Sequence, residues 1–132
     1  NILIAPSICY EDIFGSELMG YFPEANLLVN ITNNAWFGKS FASEQHFQMS
    51  IMRAIESGRY LLRATNTGVT AIVEPDGTVE RAQSFKYSIL SGTIEPMIGN
   101  TPYTKYGNSL IVILLILNLF FSYLWVKKQI KI

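Results

Sequence analysis

The sequence is poor in the residues on which much protein chemistry depends. Its 132 residues include one cysteine, Cys9, and one histidine, His46. A single cysteine excludes a disulfide within the chain, and cysteines and histidines this scarce form no cluster with metal-site spacing. We therefore expect no metal site. Cys9 is left as either a reactive thiol or a buried, inert one.

An excess of charge of either sign is also missing. Ten Lys and Arg residues balance ten Asp and Glu residues, which leaves a formal net charge of zero. Nucleic-acid-binding domains usually carry a basic surface, so no nucleic-acid partner is expected. The length suits one domain. Because the chain begins at Asn1 within an apolar run, we expect it to be a piece of a longer protein.

Charged residues are absent from Leu110 to Val126, which read LIVILLILNLFFSYLWV. With a rise of about 1.5 Å per residue, a helix of this length approaches the roughly 30 Å hydrocarbon core of a bilayer. A lysine cluster follows, and lysines flanking a span favour the cytoplasmic side. We predict a transmembrane helix over 109–126 and a basic cytoplasmic tail over 127–132, with the rest of the chain outside the cytoplasm. The alternative is a buried core helix.

Apolar runs alternate with helical patterns along the rest of the chain. The apolar runs predict strands at Ile2–Ile8, Asn26–Thr32, Gly68–Glu74, Thr78–Gln83 and Tyr87–Ile94. Helices are predicted over Asp12–Phe22 and from Ser43 to about Arg63. The residues E-P-D-G at 74–77 predict a tight turn. This alternation predicts an α/β domain in which helices cover a sheet.

Cys9 lies where the first predicted strand ends and a helix is expected to begin. A helix N-terminus carries partial positive charge, which favours the reactive thiolate. A sharp strand-to-helix turn also leaves backbone N–H groups free to stabilise an oxyanion during acyl transfer. A buried structural thiol satisfies the same spacing, so the position of Cys9 alone leaves both interpretations open.

Four segments, in order, together resemble the apolipoprotein N-acyltransferase family. They are ICYE at 8–11, NITNNAWFG at 30–38, the run from QHFQM to RATNTG at 45–68, and TPYTKYGN at 101–108. The resemblance implies the α-β-β-α sandwich of the nitrilase superfamily, set among helices of the bacterial inner membrane with its active site facing the periplasm. Residues 1–98 would then be the C-terminal part of a nitrilase-like catalytic domain, and 99–108 its connection to the membrane helix.

The resemblance also implies a Glu–Lys–Cys triad in which Cys9 is the nucleophile. The family's glutamate and lysine lie upstream of ICYE, so we expect this chain to be inactive alone. The implied reaction moves a phospholipid acyl chain to the thiol and then to the N-terminal diacylglyceryl-cysteine of a lipoprotein. The expected partners are therefore a phospholipid donor, a lipoprotein acceptor and the membrane, and no cofactor is required.

Further site residues follow from the same motifs. Tyr10 and Glu11 match the family motif and are expected to support catalysis; the alternatives are a packing aromatic and a helix-start carboxylate. Asn33 follows the second strand, and Trp36 and Phe37 suit a mobile loop that contacts acyl chains. The alternative for these aromatics is a loop folded back onto the domain.

Other polar residues receive less specific interpretations. Asn34 stands where the family often has aspartate, and no role is assigned to it. His46 is expected to be a surface or hydrogen-bonded structural histidine. Arg53 and Glu56 are spaced to form an ion pair on one helix face.

Two other classes of function remain open on the sequence. One is a membrane-tethered, nitrilase-like amidase that uses the same thiol with water or a small amine. The other is a non-catalytic, membrane-anchored interaction domain in which Cys9 is inert. A glutamate and a lysine at the family positions, preceded by several hydrophobic spans, would favour the acyltransferase.

Overall fold

A five-stranded mixed sheet forms the centre of the computed structural model, which describes residues 1–130. In sheet order the strands are β1 (Ile4–Ile8), β2 (Leu27–Thr32), β3 (Leu61–Thr65), β4 (Ala71–Val73) and β5 (Val79–Arg81). The first three strands pair in parallel, and β3, β4 and β5 pair antiparallel. The predicted α/β class is confirmed.

The segment after β1 is less regular than predicted. A 3₁₀ turn at Cys9–Ile13 leads into the short helix α1 (Gly15–Leu18) and a second 3₁₀ turn at Met19–Tyr21. Phe14 separates the first two elements with φ −93° and ψ 81°, which no helix accommodates. The prediction of one helix over Asp12–Phe22 was therefore wrong.

The long helix α2 (Ala42–Ser57) crosses one face of the sheet and ends earlier than predicted. Gly58 adopts a left-handed conformation, with φ 63° and ψ 38°, and its N–H bonds to the carbonyls of Ala54 and Ile55. Such a glycine ends a helix at little steric cost. The prediction of a helix reaching Arg63 was wrong, because residues 61–65 form β3.

The hairpin after β4 confirms the turn predicted at residues 74–77. Glu74 N–H donates to the Thr78 carbonyl, and Gly77 N–H donates to the Glu74 carbonyl. The last predicted strand, Tyr87–Ile94, is wrong: this segment is irregular. Tyr87 and Ile89 are 96% and 80% exposed, so these apolar side chains find no sheet to pack against within residues 1–130.

The apolar core lies between α2 and the sheet. Its buried members are Ala5, Ala25, Leu28, Phe47, Ala54, Leu61, Val69, Ala71 and Val73. On the opposite face of the sheet Ile4, Ile8 and Ile31 are at least half exposed. Side chains alternate between faces along a strand, so this face is apolar and open. In a layered sandwich, such a face packs against a second sheet.

The C-terminal region consists of α3 (Pro102–Tyr106) and α4 (Ser109–Ile130). Thr101 caps α3 and donates its hydroxyl proton to the Glu56 carbonyl on α2. From Ser109 to Gln129, α4 is long and apolar enough to cross a membrane, and it is exposed throughout. A core helix would be buried, so its exposure disfavours that alternative. Part of the predicted basic tail, from residue 131 on, lies outside the described residues.

Candidate active site

Cys9 begins the 3₁₀ turn that follows β1, and its backbone is in the left-handed region. Its φ is +53°, which non-glycine residues seldom adopt, and its side chain is partly exposed. A residue held this way stores on the order of 1–3 kcal/mol and persists only where its surroundings enforce it. A strained turn between a strand and a helical segment projects a nucleophile from the sheet edge and frees the next N–H.

Glu11 stabilises this turn from its solvent-exposed side. Its Oε2 accepts a hydrogen bond of 2.7 Å from the N–H of Ile8, immediately before Cys9. The carboxylate therefore acts as a local cap, which is the alternative considered for Glu11 above. The side chain is exposed, so it remains open to further contacts.

Asn30 braces the same turn from the interior. Its Nδ2 donates to the Cys9 carbonyl at 3.2 Å and to Ser7 Oγ at 3.0 Å. The register of the strands brings Asn30 to this position, because it makes Ser7, Asn30 and Arg63 direct neighbours across β1, β2 and β3. All three are at most 5% exposed.

A buried group of charged and polar side chains lies under Cys9; we call it the polar cluster. Its members are Asp12, Asn30, His46, Ser50 and Arg63, each at most 2% exposed. The Asp12 carboxylate lies 2.7 Å from Arg63 Nη1 and 2.9 Å from His46 Nε2, and it accepts a bond from Ser50. Arg63 Nη1 also donates to Asn30 Oδ1 at 2.7 Å. Buried charges are stable only when paired and hydrogen-bonded in this way.

The electrostatics of the polar cluster centre on Arg63. Burial lowers the pKa of its guanidinium, while the neighbouring Asp12 carboxylate opposes this shift. Arg63 Nη1 donates to Asn30 Oδ1, and Asn30 Nδ2 donates to the Cys9 carbonyl. The cluster therefore connects a buried Asp12–Arg63 ion pair to the backbone of the residue that carries the thiol.

Aromatic side chains connect the polar cluster to the surface. The ring of Tyr10 packs 5.4 Å from that of His46 and 6.4 Å from that of Phe14, measured between centroids. Phe37 meets His46 edge to face at 6.3 Å. His46 is thus buried between two predicted site residues and hydrogen-bonded, in agreement with its interpretation as a structural histidine.

Residues 33–41, which we call the aromatic loop, lie between β2 and α2. Asn33 is exposed, and its Oδ1 accepts bonds from Ala35 N–H at 3.0 Å and Asn66 Nδ2 at 2.7 Å. Trp36 is 85% exposed and Phe41 73%. Trp36 therefore projects into solvent, and the folded-back alternative fits Phe37 better than Trp36.

Asn34, to which the sequence assigned no role, fixes the base of this loop. It is 1% exposed; its Nδ2 donates to Ser43 Oγ at 3.2 Å, and its Oδ1 accepts from Thr32 at 3.3 Å. Gly68 makes this possible, because a Cβ there would overlap the Asn34 amide and the Ser43 hydroxyl. The bond from Asn34 explains why Ser43 is buried inside α2 rather than capping it.

The fold thus gathers most of the predicted site residues at one edge of the sheet. Cys9, Tyr10 and Glu11 follow β1, and Asn33, Trp36 and Phe37 follow the parallel strand β2. In parallel sheets, ligands gather at the carboxyl ends of strands. The polar cluster was missed, because Arg63 was assigned to the end of one predicted helix and Asp12 to the start of another. Gly58, the residue that ends α2, was the sequence feature that could have separated the helix from β3.

Comparison with known proteins agrees with the α/β fold. The carbon-nitrogen hydrolase family model matches residues 2–103. The chain therefore belongs to the carbon-nitrogen hydrolase family. This agrees with the nitrilase superfamily fold that the sequence motifs implied.

Within that class the chain is a homologue of apolipoprotein N-acyltransferases. It is 51% identical over 113 residues to the apolipoprotein N-acyltransferase of Nitrosomonas europaea, covering 85% of this chain and 23% of the relative. The enzyme of Methylococcus capsulatus is 55% identical over 103 residues, covering 77% of this chain and 20% of the relative. The chain thus spans about a fifth to a quarter of the curated relatives it matches.

Proposed function

We propose that this chain is the thiol-bearing segment of a membrane apolipoprotein N-acyltransferase and that Cys9 is its nucleophile. The observation that carries the proposal is the conformation of Cys9. The chain's single thiol occupies a strained, partly exposed turn at the end of a parallel strand, and Asn30 of the buried polar cluster bonds to the backbone of that turn. An inert structural thiol would need neither the strain nor the exposure.

The first half-reaction is acylation of the thiol. The Cys9 thiolate attacks the carbonyl carbon of a phospholipid acyl ester, and a C–S bond forms. The ester C–O bond then breaks, and the departing lysophospholipid oxygen takes the proton that the family's general base removed from the thiol. The backbone N–H of Tyr10 is the donor proposed for the oxyanion, since it follows the nucleophile in the turn.

The second half-reaction is transfer of the acyl group to an amine. The amine of a lipoprotein's N-terminal diacylglyceryl-cysteine attacks the thioester, and a C–N bond forms. The nitrogen loses a proton to the same general base, and the C–S bond breaks to release the thiolate. A thioester suits this step because thiolate is a good leaving group toward an amine. The family's general-base glutamate and oxyanion lysine would come from the remainder of the full-length protein, so the described chain is proposed to be inactive alone.

The aromatic loop supplies the contact with amphiphilic substrates in this proposal. Trp36 and Phe41 are exposed apolar side chains next to the thiol-bearing strand end, and Phe37 links the loop to the polar cluster through His46. Exposed apolar side chains of this kind mark sites of lipid or partner contact. Asn33, tied to Asn66, holds the start of the loop.

Helix α4 places the site at a membrane in this proposal. Its apolar length suits a span, and the lysines at its end favour a cytoplasmic C-terminus, with Cys9 on the periplasmic face. Single cysteines introduced at Asp76 and Gln129 of the full-length protein, in a background without Cys9 and any other cysteine, test the orientation. An impermeant thiol reagent applied to spheroplasts should label position 76 and spare position 129; the reverse pattern would contradict the orientation.

The nucleophile is tested in the full-length protein with Cys9→Ser and Cys9→Ala. Both variants should lose lipoprotein acylation, because a serine hydroxyl is a weak nucleophile without a dedicated base. Melting curves on the same preparations establish that each variant is folded. A folded variant that acylates lipoprotein at the wild-type rate would refute the assignment of Cys9.

A further inference from the structure

We propose that Asn30 is a positioning residue that aims the backbone N–H of Tyr10 at the oxyanion, and that Arg63 and Asp12 hold Asn30 in place. This inference rests on the proposed function of Cys9. It adds a role for buried residues that do not touch the substrate.

The carbonyl of Cys9 and the N–H of Tyr10 belong to one planar, trans peptide group and point in opposite directions. Asn30 Nδ2 donates to that carbonyl at 3.2 Å, from the buried side of the sheet. Fixing the carbonyl toward the interior therefore directs the Tyr10 N–H away from the interior.

The contact with Arg63 fixes which end of the Asn30 amide faces Cys9. Arg63 Nη1 lies 2.7 Å from one end of the amide, and a guanidinium can only donate. That end must be the oxygen, so the end facing Cys9 must be the NH₂ group. An amide flip, the usual uncertainty for asparagine, is excluded by the partner.

Arg63 is itself immobilised by its contacts. It pairs with Asp12 Oδ2 at 2.7 Å, its side chain is fully buried, and β3 places it directly beside Asn30. Asp12 lies in the same 3₁₀ turn as Cys9. The contacts thus form a closed ring from the turn through Asp12, Arg63 and Asn30 back to the turn.

The backbone at Cys9 needs this support. Its φ of +53° is unfavourable for a residue with a side chain, so the turn would relax if its partners were removed. Relaxation would rotate the Cys9–Tyr10 peptide plane and misdirect the oxyanion donor. Loss of one such donor typically lowers kcat by about 10²–10³-fold.

The test uses Asn30→Leu in the full-length protein, since leucine has a similar shape but no donor. Its matched control is Asn26→Leu. Asn26 is a buried asparagine that also joins the β1 segment to the β2 segment, through Leu3 N–H at 3.0 Å and the Asn1 carbonyl at 3.2 Å, but at the end far from Cys9. Both variants lose hydrogen bonds of a side-chain amide between the same two segments, so a purely structural effect should appear in both.

Two rates are measured on folded protein. One is single-turnover formation of the Cys9 thioester from phospholipid, and the other is alkylation of Cys9 by iodoacetamide, which develops no oxyanion. We expect Asn30→Leu to slow thioester formation at saturating phospholipid about 100-fold, and to leave alkylation near the wild-type rate. Asn26→Leu should leave both rates near the wild-type values.

The outcomes separate this inference from the proposed function. If Cys9→Ser retains acylation, the nucleophile assignment fails and the inference fails with it. If Cys9→Ser is inactive but Asn30→Leu acylates at the wild-type rate, only the inference is overturned. A parallel fall in both rates of Asn30→Leu would also overturn it, because Asn30 would then hold the thiol rather than the oxyanion donor. Should Asn30→Leu not fold, Asn30→Ala is judged by the same criteria.

Discussion

The polar cluster and the aromatic loop lie at the same edge of the sheet and differ in almost every physical property. In the cluster, Arg63 is 2% exposed and bonds to Asp12 and Asn30. In the loop, Trp36 is 85% exposed and Phe41 73%. One region satisfies polar groups inside the protein, and the other presents apolar groups to its surroundings.

This contrast shows how the site divides its tasks. An acyl transfer needs a nucleophile and an oxyanion donor held to within a fraction of an ångström, which suits buried, fully connected side chains. Holding a lipid chain requires apolar surface that can adapt, which suits an exposed loop. Mutations in the two regions should therefore have different effects. Those in the cluster should lower stability and the rate of the chemical step, and those in the loop should weaken contact with the substrate.

Arg63→Met should give the largest loss of stability. Removing the guanidinium leaves the Asp12 carboxylate buried without its cation, which typically costs about 3–5 kcal/mol of unfolding free energy. Chemical unfolding of the full-length protein measures the loss. Arg81→Met is the matched control, because its ion pair with Glu44 is 3.3 Å long and exposed. That control should change stability by less than about 1 kcal/mol; equal losses in both variants would contradict a special role for the buried pair.

Removing both members of the buried ion pair sharpens the comparison. Asp12→Leu combined with Arg63→Met leaves no unpaired charge, so the double variant should be more stable than Arg63→Met by about 1–3 kcal/mol. The same unfolding measurement compares the stability of the double variant with that of Arg63→Met. A double variant that is less stable than the single one would mean that Asp12 has a more important partner than Arg63. Acylation should remain low in both variants, because Asn30 loses its anchor.

Trp36→Ala should leave stability unchanged and impair turnover. The side chain is almost fully exposed, so the core loses nothing, whereas loss of one apolar substrate contact is worth about 1–3 kcal/mol, or roughly 10–200-fold in kcat/KM. Melting curves and acylation kinetics are measured on the same protein. Tyr87→Ala is the control, because Tyr87 is an aromatic residue that is 96% exposed on the irregular segment. It should change neither the melting temperature nor the acylation kinetics. A large fall in the melting temperature of Trp36→Ala would show that Trp36 is a core residue.

Phe37→Leu should give the smallest effect, because it probes the boundary between the two regions. Leucine preserves apolar volume but loses the edge-to-face contact with His46, which is worth about 0.5–1.5 kcal/mol. We expect a small decrease in stability together with a change in kcat/KM smaller than that of Trp36→Ala. An effect on kcat/KM larger than that of Trp36→Ala would place the main substrate contact at Phe37 instead.

The sequence alone predicted the loop better than the cluster, for a physical reason. Local patterns reveal strands, turns and exposed aromatics, and these placed Cys9, Asn33 and Trp36 at strand ends. The cluster depends on register between strands that are far apart along the chain: Ser7, Asn30 and Arg63 become neighbours only once three strands pair. No local pattern contains that information.

The errors in secondary structure have equally specific causes. The helical pattern from Ser43 continues in composition past Ser57, and Gly58 ends it by its left-handed backbone. Tyr87–Ile94 has the composition of a strand but pairs with none of the strands described in residues 1–130. Buried Asn34 was set aside because it differs from the residue frequent in the family, although Gly68 gives its amide a specific place.

The most direct test of the account is detection of an acyl group on Cys9. The full-length protein is incubated with a phospholipid carrying an isotope-labelled acyl chain and no lipoprotein acceptor, and the peptide containing Cys9 is then analysed by mass spectrometry. The account predicts that the mass of one labelled acyl chain is added to that peptide, removed by neutral hydroxylamine and absent from Cys9→Ala. An unmodified Cys9 peptide in a preparation that goes on to acylate lipoprotein when the acceptor is added would contradict it.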